Sequence, residues 1–385
     1  MRTTGQWVRS ISAIVVLLSA IVVAAYAITG GWDRAAVKLE APRKVTLYTS
    51  VDDPIARAVA ERFRVDMGII VEIVGDTEAT KTTGLVMRLE SEKDAPRADV
   101  WWSSEPVGTI RLARQGILEP MTSPPFNVDT KEAWPAEYKA ADGTWHAIAL
   151  RARAIAFNTK WVTQREAPRS LTDLLNPRWK GRVGLARPQF GTTRTHMAAI
   201  LSLHGPDALR SWLEGLKANQ VRLYDGNSAV ARGLGMGEID IGLTDTDDVW
   251  AAQRNVWPVA LNYERHDGMT STAGKEAPGG AIRQAGSSTA GMQSLGPLAI
   301  PNTVSIVKGS PHPREARLLA EYLLSEATER MLLEMEQHTV PVRPWLMQSE
   351  SSKQYEIPSP ARVDWEKIAD SVPEAIKICE QVLGG

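Results

Sequence analysis

Three carboxylates, Asp245, Asp247 and Asp248, stand within four residues in GLTDTDDVW, directly after the apolar run Ile239–Leu243. Carboxylates are hard oxygen donors, so such a group can hold a hard cation or accept hydrogen bonds from hydroxyl or ammonium groups. The competing reading is a solvated turn, because Asp and Thr are common turn formers. A second group lies in GTTRTHMAAI, where Gly191, Thr192 and Thr193 precede a helix and Arg194 and Thr195 fall in its first turn. Unsatisfied backbone N–H groups, hydroxyls and a guanidinium in that order suit an anion. A Thr at such a place serves equally well as a plain helix cap. Asn227-Ser228 opens another helix with the same two readings. Ser103-Ser104-Glu105 opens a third, where Glu105 suits the helix dipole whatever else it does.

Signatures of turnover are missing. There is no Gly-x-x-x-x-Gly-Lys-Ser/Thr phosphate loop and no His-Glu-x-x-His pair. GNSAV and GSSTA both lack the second Gly of a nucleophile elbow. GLGMG lies inside a helical pattern, not after a strand, which argues against a dinucleotide fingerprint. Read as a calcium loop from Asp245, the chain puts Val249 and Val256 at positions that need oxygen ligands. The six His are scattered and are expected as surface or capping residues. A carboxylate-bound metal that activates water, as in a metal-dependent hydrolase, is the weakest of the readings that survive.

These residues need elements to position them, and the chain supplies a regular alternation. VTLYTS is a strand. PIARAVAERFRVDMG places Ile55, Val59 and Phe63 on one helical face and stops at Gly68. IIVEIVGD, TKTTGLVMRLESEKD, ADVWWSS and EPVGTIRLARQGILEPM continue as strand, helix, strand, helix. The pattern resumes with RARAIAFNT and GRVGLA as strands and THMAAILSLHG and DALRSWLEGLKAN as helices. QVRLYDG, SAVARGLGMGE and IDIGLTD then repeat the strand–helix–strand unit. Residues 264–296 read as a long loop, PLAIPNTVSIVKG as a return strand, and PREARLLAEYLLSEATERMLLEME as one long helix. Strand–helix repetition with short links predicts α/β architecture in two lobes, each a mostly parallel sheet flanked by helices, with a ligand cleft between them. The expected boundaries are lobe 1 at 44–150, lobe 2 at 151–262, and a segment 263–385 holding the loop, the return strand and helices that pack across both lobes. The lobes are joined by a crossing segment near Leu150–Asn158.

In open α/β sheets ligands collect at the carboxyl ends of strands. That selects Tyr48–Asp53 with Ser50 and Asp52, Gly75–Thr80, Ser103–Glu105, Gly191–Thr195, Asp225–Ser228 and Thr244–Asp248. The acidic stretch is therefore expected at a cleft.

At 385 residues, with 43% hydrophobic and 23% charged residues and a net charge of −1, the chain has ordinary globular composition. The balance gives no electrostatic case for nucleic acid. A single Cys, Cys379, excludes an internal disulfide and is expected half-buried in a helix. Arg2 and Arg9 precede an apolar stretch from Ile11 to Ile28 with the small-x-small site Ala25-Tyr26-Ala27. Residues 1–27 are thus expected as an export signal or an uncleaved membrane anchor, followed by a linker at 28–43. Export to a periplasm follows from either.

VTLYTSVDDPIARAVAERFRVDMGIIVEIVGD, ADVWWSSEPVGTIRLARQGILEP, LLNPRWKGRVGLARPQFGTT and PNTVSIVKGSPHPREARLLAEYLL together resemble the ferric-iron-type periplasmic substrate-binding proteins of bacterial ABC importers, from about Val45 to about Pro344. The resemblance implies a type II periplasmic binding protein fold of two hinged lobes. It also implies a monomer that hands its ligand to an ABC permease and its ATPase. It implies no catalysis and no cofactor, with Fe(III) as a transported ligand. Family members commonly hold the metal with a His in the first loop, a Glu after the third strand and two adjacent Tyr, beside an anion at a helix start. The matching positions here are Asp52, Glu105, Asp247 and Asp248, with Gly191, Thr192, Thr193 and Asn227 at the anion. Asp in place of the phenolates leaves two ligands open: a hard metal ion with a synergistic anion, or an organic phosphate or other small organic anion.

Overall fold

The computed structural model describes residues 42–76, 82–121, 134–265, 294, 296–335 and 339–384. The chain divides into residues 1–42 and 43–385, and the account below is of the second unit. The expected signal or anchor (1–27), nearly all of the linker, and most of the 264–296 loop lie outside the described residues. Among those described, no helix is long and apolar enough to cross a membrane.

Strands β1 (Lys44–Thr49), β2 (Ile70–Gly75) and β3 (Val100–Ser103) are parallel, with β1 between the other two. Helices α1 (Asp53–Met67), α2 (Thr83–Ser91) and α3 (Pro106–Arg114) connect and flank them. On α1 the side chains of Ile55, Val59 and Phe63 are buried, as the i, i+4, i+8 spacing requires. Each contributes about 1.5–3 kcal/mol of apolar burial. Gly68, at φ 66°, ends the helix and donates its N–H to Arg64 O, a left-handed stop that costs least for glycine.

A second parallel set, β6 (Val183–Ala186), β7 (Arg222–Tyr224) and β8 (Ile241–Asp245), has β6 in the middle. It carries α4 (Gly191–His204), α5 (Pro206–Ala218), α6 (Asn227–Met236) and α7 (Thr246–Arg254). Two long strands, β5 (His146–Asn158) and β10 (Ala299–Val307), run antiparallel to each other and join the sets. The sheet path is β2-β1-β3-β10-β5-β8-β6-β7. Short strands β4 (Leu118–Glu119), β9 (Val259–Asn262) and β11 (Val340–Pro341) pair along its sides. The expected two-lobed α/β architecture is present, with parallel sheets at the two ends and antiparallel pairing where they meet.

The crossing is not a linker. β5 begins at His146, is thirteen residues long and is buried throughout, so one strand belongs to both lobes. Its continuity ties the geometry of one sheet to that of the other.

Three expectations are corrected. The long C-terminal helix is two, α8 (Pro313–Leu323) and α9 (Glu326–Glu334). Ser325 stops the first and caps the second by accepting the Thr328 N–H. A hydroxyl N-cap starts a new helix because it satisfies an otherwise orphaned donor. Cys379 is fully buried, not half-buried, within α12 (Trp365–Leu383), which follows the short α10 (Pro344–Met347) and α11 (Glu350–Lys353). Burial first, then the neighbouring Glu380 charge, push its thiol up to about 12. Finally, His146 and His196 are core residues, not surface ones. Burial lowers both, His146 to about 4. His312 does sit at a helix start, pairing through Nδ1 with the buried Asp99 at 2.9 Å. His266 and His338 lie outside the described residues.

Candidate functional site

β8 delivers Asp245 to the strand end, and α7 starts at the next residue, so TDTDD is a strand-to-helix junction. Asp245 occupies the N-cap position in extended geometry, yet its side chain makes no cap bond. It turns to Arg153, its register partner on antiparallel β5. Arg153 Nη1 donates to Asp245 Oδ1 at 2.6 Å and lies 3.1 Å from Asn227 Oδ1, while Nη2 donates to Leu243 O at 3.2 Å. The other Asp245 oxygen accepts from Thr192 Oγ1 and, at 2.9 Å, from Asn227 Nδ2. Thr193 Oγ1 donates to Asn227 Oδ1 at 3.1 Å. The starts of α4 and α6 are thereby tied to the end of β8.

Two residues along β5, on the same face, Arg151 places Nη1 3.1 Å from Asp247 and 4.0 Å from Asp245. Arg151 is 4% exposed and Asp247 2%. Burial works against the charge on Arg151, but Asp247, Asp245, Asp52 and Asp248 together outweigh it and hold the guanidinium above its ordinary value. Its Nε and Nη2 find no hydrogen-bond partner among the described residues. The ligand atoms of Asp245, Asp247 and Asp248 all lie within 4.8 Å of one another. Asp248 accepts from Thr244 Oγ1 at 3.2 Å. Four carboxylates (Asp52, Asp245, Asp247, Asp248) against two guanidiniums (Arg151, Arg153) leave the cluster an excess of two negative charges.

Lobe 1 supplies the facing wall. Ser50 Oγ is 3.2 Å from Ser104 Oγ and accepts the Ser104 N–H at 3.0 Å. Asp52 stands at the start of α1 with no side-chain cap bond. A small inner cavity of about 30 Å³ is lined by Asp52, Ser104, Arg151, Asn227 and the Gly191–Thr193 helix start. An outer chamber of about 410 Å³ adjoins it, walled by Ser50, Asp76, Ala231 and Trp257 among others. Asp52, Ser228 and Asp248 border both.

Most of the expected residues converge here, from both lobes. Glu105, expected as a metal ligand, is engaged in hydrogen bonds within the fold. It is 1% exposed and caps α3, accepting from Val107 N at 2.7 Å and Gly108 N at 3.1 Å. Its Oε2 also accepts from Thr195 Oγ1 at 2.9 Å, a bond across the cleft. Burial raises its pKa against the opposing pull of Arg194 and these donors. Arg194, expected in the anion cradle, reaches Thr83 Oγ1 at 3.3 Å, another bond between the lobes. Ser103 turns back to donate to Glu105 O at 2.7 Å. Of the Gly75–Thr80 strand end, only Gly75 and Asp76 lie within the described residues.

Arg151 and Arg153 were not among the expected site residues. A signal existed: HAIALRARAIAFN is apolar apart from its flanks and two Arg at i, i+2. A charge in a strand that reads as buried needs a partner, and two on one face point to one acidic group.

Comparison with known proteins places these findings. Residues 105–259 match the family described as bacterial extracellular solute-binding protein, which is not an enzyme family. The chain is 26% identical over 292 residues to the major ferric iron-binding protein of Neisseria meningitidis, covering 75% of this chain and 78% of that one. It is 27% identical over 205 residues to the Fe(3+)-binding periplasmic protein of Serratia marcescens, 53% of this chain and 57% of that one. In fold it is similar to iron-bound HitA from Pseudomonas aeruginosa, with a TM-score of 0.70, 25% identity, and 89% and 99% of the two chains covered. The ferric binding protein from Campylobacter jejuni shares the fold at a TM-score of 0.72, with 19% identity over 88% and 99% of the chains. In sequence and in fold, this chain is similar to ferric iron-binding proteins of bacteria.

Proposed function

We propose that this protein is the exported solute-binding component of an ABC importer, capturing ferric iron or another hard cation together with an anion and passing it to a permease and its ATPase. The observation that carries the reading is the convergence of three carboxylates, with donor atoms within 4.8 Å, on a cleft between two lobes. Oxygen-rich clusters of this kind suit hard cations. Asp52 and Asp248 border both cavities and present one carboxylate from each lobe, so a cation between them draws the lobes together. The helix starts at Gly191–Thr193 and Asn227–Ser228, with their N–H groups and positive dipole ends, supply the anion place. The relatives named for ferric iron support the same reading. The protein acts as a monomer in the periplasm.

Titration with Fe(III)–nitrilotriacetate in phosphate buffer tests it. One metal ion per chain is expected, and Asp52→Asn and Asp248→Asn each weaken binding by more than about tenfold with the fold retained. Wild-type protein that takes up no metal at any anion concentration refutes the reading. One observation favours a second ligand, an organic phosphate or small organic anion. The outer chamber, at about 410 Å³, is large for an ion alone, and the smaller cavity that adjoins it is lined by Arg151. Native mass spectrometry of protein from its own periplasm separates the two by mass.

A further inference from the structure

We propose that one strip of lobe 2, running from Trp161 and Met236 to Arg265, seats this protein on an anionic lipid bilayer. The inference holds whatever the cleft carries. Trp161, Met236 and Val256 are 64%, 67% and 88% exposed, and Trp257, which adjoins Val256, is 37% exposed. The C-terminal end of α6 brings them together. A Cβ at Gly235 would stand 2.7 Å from the Trp257 ring, and one at Gly237 would stand 3.5 Å from Trp161 Nε1. The two glycines that flank Met236 thus each receive an indole. Val256 sits at φ 58°, a left-handed conformation that a β-branched residue rarely adopts. Its side chain is in solvent, so the fold gains no packing from it. Single exposed apolar residues need no explanation, but a group of large ones meets another surface.

The charges around this group say what that surface is. Trp161 and Met236 line a groove of about 450 Å³ whose charged walls are Lys160, Arg182, Arg222, Glu238 and Asp240. The segment that holds Trp161 runs beside β9. Thr159 N donates to Pro258 O at 2.8 Å at one end, and Arg265 N donates to Arg169 O at 3.0 Å at the other. At that far end lies a second hollow, of about 360 Å³, lined by Arg165, Arg169, Arg178 and Arg265 with Glu166 and Asp173. Both carboxylates are engaged locally. Glu166 accepts from Thr163 Oγ1 at 2.6 Å, and Asp173 accepts the Arg169 and Ser170 N–H groups at 2.9 and 3.0 Å. Along the strip seven cationic side chains face four carboxylates, although the whole chain carries a net charge of −1. Large apolar side chains beside an excess of Arg and Lys suit the headgroup layer of an anionic membrane. Indoles and Met enter the interface, and the long basic side chains reach the phosphates. The cations are spread over both ends of the strip instead of being gathered in one pocket, which matches a fluid headgroup layer better than one shaped acidic partner. Trp257 also walls the outer chamber, so a bilayer-seated protein keeps that chamber close to the membrane.

The unit 43–385 contains the hydrophobic cores of the fold, so the test uses the chain from Ile28, without the expected signal. Co-sedimentation with vesicles of phosphatidylglycerol and phosphatidylethanolamine measures partitioning, and vesicles of phosphatidylcholine alone are the control. Wild type is expected to partition at least about tenfold more strongly onto the anionic vesicles, and to lose most of that preference in about 0.5 M salt. The charge variant Lys160→Gln/Arg165→Gln/Arg265→Gln and the apolar variant Trp161→Ser/Met236→Ser should each weaken anionic-vesicle binding by at least about tenfold, with circular dichroism unchanged. Val256→Asn gives an independent readout, because asparagine accepts the left-handed conformation. Its thermal midpoint should rise while its vesicle binding falls by about threefold or more, a pair of opposite changes that a purely structural role does not produce. No binding of wild type to anionic vesicles, or binding that none of the variants changes, overturns the inference. Variants that bind vesicles as wild type does but support less iron uptake in cells assign the strip to a protein partner and overturn it as well.

Discussion

Replacing Arg153 by Met is expected to be among the most damaging single changes at this site, for stability and not for ligand chemistry. Arg153 is 3% exposed and Asp245 1%, and their closest approach is 2.6 Å. The guanidinium also reaches Asn227 at 3.1 Å and Leu243 O at 3.2 Å. Methionine fills most of the aliphatic volume but leaves the Asp245 carboxylate buried with the neutral donors of Thr192 and Asn227 and with the Arg151 guanidinium no nearer than 4.0 Å. Removing one partner of a buried pair costs about 3–5 kcal/mol, because the remaining charge has lost its compensation. At about 2 °C per kcal/mol for a body of this size, the melting midpoint falls by about 6–10 °C. Asp245→Asn should cost a similar amount by orphaning Arg153. The double variant Arg153→Met/Asp245→Asn carries no charge at either place, and its asparagine still accepts from the Thr192 and Asn227 side chains. It should recover to within about 1–2 kcal/mol of wild type. Urea denaturation of the four proteins at one pH, with m-values compared, reads the cycle. A single-variant loss below about 1 kcal/mol, or a double variant in which the two losses simply add, refutes the pairing argument.

Thr195→Val removes the hydroxyl that α4 donates across the cleft to Glu105 while keeping the shape. A hydrogen bond to a charged group contributes about 1.5–3 kcal/mol, so the ligand-free protein should shift toward separated lobes by about tenfold or more; unchanged small-angle scattering counts against this bond as a tie. His146 is buried and held down to about 4, against 6.5 when unfolded, so its neutral form stabilises the fold above pH 6.5 and that contribution is lost as pH falls toward 4. The stability gap between wild type and His146→Gln should therefore narrow over that window in urea titrations, and a gap that does not change with pH would show that His146 does not titrate there. Cys379, with its thiol pushed up to about 12 and its side chain in the core, should react with a thiol reagent at pH 8 more than about a hundredfold slower in the native than in the unfolded protein; rapid native labelling would contradict its burial.

The lobes were legible because their evidence is local. Ile55, Val59 and Phe63 repeat at helical spacing, Gly68 stops the helix, and the strand runs between such helices are short and apolar. Backbone preference and the period of apolar residues act over a few positions, so they are written in a few positions. The placement of Asp52, Ser104, Thr192, Asn227 and Asp248 at one cleft also followed from the chain alone, since strand ends in a parallel sheet point the same way. The break at Ser325 was local too, but a serine within a helical pattern does not by itself distinguish a cap from an exposed position. What the chain order could not supply was the pairing of charges. Arg153 and Asp245 are 92 residues apart and meet because β5 and β8 are antiparallel neighbours in one register. Glu105 and Thr195, 90 residues apart, meet only where the lobes close on each other. Whether a carboxylate is a ligand, a cap or half of a buried ion pair depends on which donor lies within about 3 Å, and that distance exists only once the strands are assembled. The tertiary structure thus turned a run of acidic residues into three different things: Asp245 braced by Arg153, Asp247 held by Arg151, and Asp248 facing the cleft.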